Sequence, residues 1–91
     1  MQQVDEKSLY FRQVVGELLQ DIRNEKVKLS CNKFSNEYGL NDSNLGKIER
    51  ALIDCKFVTL WKIVESLGLD FLEFVTLLQE RLGENFTLID E

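Results

Sequence analysis

The spacing of apolar residues between Leu29 and Ala51 constrains the fold of this chain more than any other feature. Phe34 and Tyr38 stand four residues apart, and Leu45 and Ile48 three apart, so each pair shares one face of a helix. Gly39 lies between the pairs, where the chain must reverse and where positive φ is often required. Ser30 and Asn41 precede the two segments, and each side chain can accept a hydrogen bond from an unpaired backbone N–H at a helix start. The segment thus predicts two short helices, about 31–38 and 42–50, joined by a tight turn and pinned together by their apolar faces.

The rest of the chain extends this pattern. Proline is absent, and nearly every segment shows a helical rather than a two-residue period, which predicts an all-α fold in a single domain spanning 1–91. A first helix is expected over about 6–25, with Phe11, Val15, Leu18, Leu19 and Ile22 inward and Arg12 among the mostly outer positions. A fourth helix is expected over 57–67, with Leu60, Ile63, Val64 and Leu67 inward and Trp61 beside that face, in the core or at an interface. A fifth starts at Asp70, where Asp70 and Glu73 form a capping-box-like pair, and runs to about Leu82. It is apolar around too much of its girth for one stripe: Phe71, Phe74, Val75, Leu78 and Leu82 cover one face, while Leu72 and Leu77 lie off it. With Phe86 of the tail, the residues Phe71, Phe74, Val75, Leu78 and Leu82 are expected to form a homodimer interface over 70–91; the alternative is that they fold onto the monomer core.

No apolar stretch approaches the ~18 residues of a membrane span, and the N-terminal segment reads as no signal peptide, since it carries Asp5 and Glu6 and lacks an apolar core. Cys31 and Cys55 are too few for a disulfide framework and have no zinc-site spacing, so they are read as reduced thiols in a cytoplasmic protein. The chain has no histidine and no glycine-rich phosphate loop, which removes His-based triads and Cys–His pairs from consideration. No catalytic residue, metal ligand or cofactor is expected.

The net charge of −5 argues at first sight against a nucleic-acid partner. Its distribution argues otherwise. Residues 22–62 hold eight basic and five acidic side chains, a net of +3, while residues 1–21 sum to −2 and residues 63–91 to −6. The positive surplus falls on the bihelical segment, and a DNA-binding face needs local positive potential rather than a basic total.

Two helices joined in this way form a helix-turn-helix, whose second helix can enter the major groove of DNA. From about Leu18 to Phe74 the chain resembles the lambda-repressor/Cro-like, or Xre, family. The resemblance is carried by Leu29-Ser30 through Phe34, Gly39-Leu40, Leu45, Ile48-Glu49-Arg50, Thr59-Leu60 and Glu65-Ser66-Leu67-Gly68. It implies a five-helix lambda-repressor-like DNA-binding domain. The chain departs from the family pattern at Cys31, where Gln is usual, at Ser35 and Gly46, at Ala51 in place of Gly, and at Asp54-Cys55 in place of Asn-Pro.

The resemblance also implies that Arg23 pairs with Glu49, and that Asp42, Ser43 and Lys47 occupy places that reach base edges. Lys47 can donate to guanine, Ser43 can donate or accept, and Asp42 can accept from a cytosine amino group. For Asp42, a carboxylate favoured by the helix dipole is an equally good account. Phosphate contacts are expected from Ser30, Asn32, Lys33, Asn44, Arg50 and Lys56. These readings predict a sequence-specific, repressor-like transcriptional regulator, acting as a homodimer on double-stranded DNA with a palindrome-like operator. The acidic balance, Cys31 and Asp42 keep a second reading open: a protein–protein interaction module on the same scaffold that does not bind DNA.

Overall fold

Each helix of the chain starts and stops where its local chemistry allows. A computed structural model describes residues 6–40 and 42–89; Asn41, and the cap expected of it, lie outside the described residues, as do the side chains of Asp42 and Ser43. Among the described residues five α-helices follow one another: α1 Glu6–Ile22, α2 Cys31–Glu37, α3 Asp42–Glu49, α4 Phe57–Ser66 and α5 Phe71–Leu82. The described residues contain no strand, and none of their helices is long and apolar enough to cross a membrane.

At the start of α2, Ser30 Oγ accepts the Lys33 N–H at 3.2 Å, and at the start of α5, Asp70 and Glu73 form a reciprocal capping box. Helix ends are closed by bonds reaching five residues back: Leu40 N–H to Ser35 O at 2.8 Å after α2, and Leu52 N–H to Lys47 O at 2.8 Å after α3. The first of these turns places Gly39 at φ 68°. The second places Ala51 at φ 61°, a left-handed conformation that costs a residue with a Cβ roughly 1–2 kcal/mol. The helix expected to reach Glu25 is α-helical only to Ile22. It widens into a π-helical turn over Arg23–Val27, closed by Lys28 at φ 58°, whose N–H reaches Arg23 O at 2.9 Å.

The core lies where α1 packs on α3 and α5, α2 on α3, and α4 on α5. Leu18, Leu19, Phe34, Leu45, Ile48, Ile63, Val64 and Leu67 are buried there, joined by Val14, which the helical stripe of α1 had left out. Arg12, expected outside, is half-buried, and its Nε has no hydrogen-bond partner. Gly16 sits at the crossing of α1 and α3: a Cβ built on it would stand 2.5 Å from Glu49 O and 2.6 Å from Ile48 O. Ser35 is fully buried in α2, and its hydroxyl has no hydrogen-bond partner. Ser35→Ala removes that unsatisfied group and gains helix propensity, so it should raise stability by about 1 kcal/mol in a urea melt; a loss of stability would show that the hydroxyl is bonded in solution.

The dimer interface expected on α5 and the tail requires correction. Phe74 is 0% and Leu78 7% exposed, and both belong to the core; Phe71 and Leu82 are half-buried against it. Phe86 folds back onto α1, its ring centroid 5.9 Å from that of Tyr10 and 6.1 Å from that of Phe11. Of the six residues only Val75 is exposed. The physical reason is packing: with α1 and α4 both against it, α5 gives Phe74 and Leu78 to the core, while Leu72, Val75 and Leu77 stay exposed. The tail is held further by Lys7 Nζ donating to Ile89 O at 2.9 Å.

Candidate nucleic-acid interface

The orientation of α3 is set from inside the fold. Leu45 and Ile48 are turned into the core, and Glu49, one residue further, meets Arg23, the first residue of the π-helical turn after α1. Arg23 Nε donates to Glu49 Oε2 at 2.8 Å and Nη2 to Oε1 at 2.9 Å, a two-pronged contact, while Nη1 donates to Leu29 O at 2.7 Å. The side chains are 8% and 6% exposed. The hydrogen bonds to Glu49 hold the Arg23 guanidinium above its ordinary pKa despite burial. Because the carboxylate of Glu49 is turned inward and neutralised, it subtracts nothing from the charge of the outer side of α3.

That outer side is open. Asn44, Lys47 and Arg50 are exposed, with Lys47 and Arg50 one helical turn apart. Arg50 lies back along the helix, its Nε donating to Gly46 O at 3.1 Å. At the start of α2, Ser30, Asn32 and Lys33 are exposed; Ser30 caps the helix, and Asn32 Oδ1 accepts from Asn36 Nδ2 at 2.9 Å. Lys56 is exposed at the N-cap of α4. Among the described residues none of Lys33, Lys47, Arg50 and Lys56 takes part in an ion pair. Asp42 and Ser43 are placed by the backbone at the first turn of α3.

The sequence reading assigned no role to Lys62. Its exposed side chain also carries no ion pair, and it lines a cleft of about 160 Å³ between α3 and α4 together with Asn44 and Thr59. Among the described residues, these five cations on and beside α2, α3 and α4 therefore remain without carboxylate partners. Arg23 and Arg81, in contrast, are paired, Arg81 with Asp21 at 2.9 Å. The signal for Lys62 was present in the charge distribution but not in any local motif, because only the packing of α4 brings it beside α3.

No protein-family model, curated protein or solved structure matches this chain. What its site can do is therefore argued from its own geometry: an exposed helix with unpaired cations on and around it offers hydrogen-bond donors to an anionic, grooved surface. Among the described residues no group of three or more Cys, Asp or Glu side chains is arranged to hold a metal ion.

Burial, with Asp54 beside it, pushes the Cys55 thiol up to about 11. A higher pKa lowers the thiolate fraction but raises its intrinsic nucleophilicity, so the two effects partly offset. In a Cys31→Ser background, Cys55 should react with iodoacetamide at pH 8 on the order of tenfold more slowly than an ordinary exposed thiol, and the rate should climb through pH 10. A rate matching free cysteine would show the site to be open.

Proposed function

We propose that this chain is a sequence-specific DNA-binding transcriptional regulator of the lambda-repressor/Cro-like type, repressor-like in action and working as a homodimer. In this reading α2 and α3 are the helix-turn-helix, and α3 lies in the major groove. One observation carries it: α3 is locked by Leu45, Ile48 and the Arg23–Glu49 pair so that its exposed side, with Lys47 and Arg50 unpaired, points away from the core. Asp42, Ser43 and Lys47 would meet base edges. Ser30, Asn32, Lys33, Asn44, Arg50 and Lys56 would meet phosphates, and Lys62, from the cleft beside Asn44, would add a contact to the backbone.

Selection from a random DNA pool, followed by binding across a salt series, tests the reading. It expects an enriched, palindrome-like motif and an affinity that falls steeply with salt. Lys47→Ala should weaken binding by ~1–3 kcal/mol and relax preference at one base pair, whereas Lys33→Ala or Lys62→Ala should weaken all sequences alike and reduce the salt slope by about one. Absence of any enriched motif would end the proposal. The sequence pI of about 4.7 favours the second reading, a protein–protein interaction module, and that outcome would leave it standing.

A further inference from the structure

Two neighbouring cavities lie where α1, α4 and α5 meet. The larger, of about 470 Å³, has five phenylalanine rings in its walls: Phe11, Phe57, Phe71, Phe74 and Phe86. The smaller, of about 40 Å³, is lined by Arg12 and Val15 of α1, Ile48 of α3, and Ile53 and Asp54 of the loop before α4. Phe11, Cys55 and Leu60 belong to both linings, so the smaller cavity lies directly beside the larger.

One group in the smaller cavity lacks what its chemistry requires. Arg12 Nε is buried and donates to nothing. No carboxylate among the described residues forms an ion pair with Arg12, although Asp54 stands on the same wall. A buried donor on a cation is costly to leave unmade, and a carboxylate is the acceptor that satisfies it best.

We infer that the two cavities form one binding site for a small aromatic carboxylic acid, with its rings in the larger cavity and its carboxylate on Arg12. Size, lining and charge choose this ligand. The larger cavity falls within the ~300–1,000 Å³ of small-molecule sites, and such sites are mostly apolar with few polar groups. A water-sized atom needs ~10–15 Å³, so the smaller cavity takes two or three, which is the size of a carboxylate. Phenylalanine walls favour an aromatic guest, because rings gain from offset and edge contacts beyond the area they bury. Asp54 and Glu84 also line the site and oppose an anion, but both are exposed, where water screens them, whereas Arg12 Nε is shielded. The acid would rest on Ile48, the inward side of α3, yet the site does not depend on what α3 reads.

Calorimetric titration of the full chain with 2-naphthoate is the test. One molecule is expected per chain, with a dissociation constant below about 1 mM. 2-Naphthamide, uncharged and of nearly the same shape, should bind about ten- to a hundredfold more weakly. Arg12→Gln should weaken 2-naphthoate by a similar factor, while Lys26→Gln, the same loss of charge at an exposed position away from both cavities, should leave it unchanged. Val75→Glu sets a carboxylate on the wall of the larger cavity at a partly exposed position, and should weaken binding at least about tenfold with helicity by circular dichroism unchanged. In the Cys31→Ser background, bound acid should slow alkylation of Cys55 in proportion to occupancy, since Cys55 lines both cavities. Failure of 2-naphthoate to bind saturably overturns the inference. So does equal affinity for acid and amide, or an Arg12→Gln variant that binds like the wild type, which would mean that water or Asp54 satisfies Arg12 in solution. The acid–amide comparison uses the wild type alone, so it decides the matter even if Arg12→Gln fails to fold. DNA selection plays no part in it, and the two proposals fail separately.

Discussion

Glu49→Ala should lower the stability of the chain by about 3–5 kcal/mol, read as a fall in the urea midpoint with an unchanged slope. The cost does not come from the attraction lost. Glu49 and Arg23 are both buried, and each satisfies the other's hydrogen-bonding groups at 2.8 and 2.9 Å. Removing the carboxylate strands a guanidinium whose remaining partner is Leu29 O. Arg23→Lys should fail almost as badly, since an ammonium cannot hold both carboxylate oxygens and Leu29 O in one plane. Replacing both residues together with apolar side chains of similar volume should recover much of the loss, and a double-mutant cycle reads that difference directly. A single-variant loss under ~1 kcal/mol would mean that water reaches the pair.

Gly16→Ala is expected to be nearly as damaging, at roughly 3 kcal/mol, although the same change in an exposed helix would stabilise by about 1 kcal/mol. The sign is the test. A methyl group at Gly16 would fall 2.5 Å from Glu49 O and 2.6 Å from Ile48 O, and both atoms belong to backbone that cannot rotate aside. The only relief is for α3 to retreat from α1, which would also stretch the Arg23–Glu49 contact in the neighbouring turn. The two substitutions therefore act on one joint, and their effects should not add. In the proposed function that joint aims α3, so both variants should lose DNA affinity at temperatures where they remain folded. A thermal melt of Gly16→Ala that matches or exceeds the wild type would remove the close crossing from the account.

The sequence showed the helices more clearly than it showed which surfaces they would share. Helix starts at Ser30 and Asp70 follow from side chains that bond to the adjacent backbone, and such local chemistry reads directly from residue order. Leu45 and Ile48 were legible as inward residues because helical spacing fixes one face. Gly16 was not, because a close backbone approach depends on a helix lying thirty-odd residues away. Phe74 and Leu78 were misread for the same reason: periodicity tells that a face is apolar but not whether the protein's own helices cover it. On the candidate interface, exposure of Lys47 and Arg50 was readable from the pattern, whereas Lys62 needed the placement of α4 beside α3.

The bond from Lys7 to Ile89 joins residues 82 positions apart. Contacts of that separation carry the largest loop-closure entropy, so this corner should assemble late and fray early, with the amides around Ile89 exchanging long before those of Phe34 or Val64.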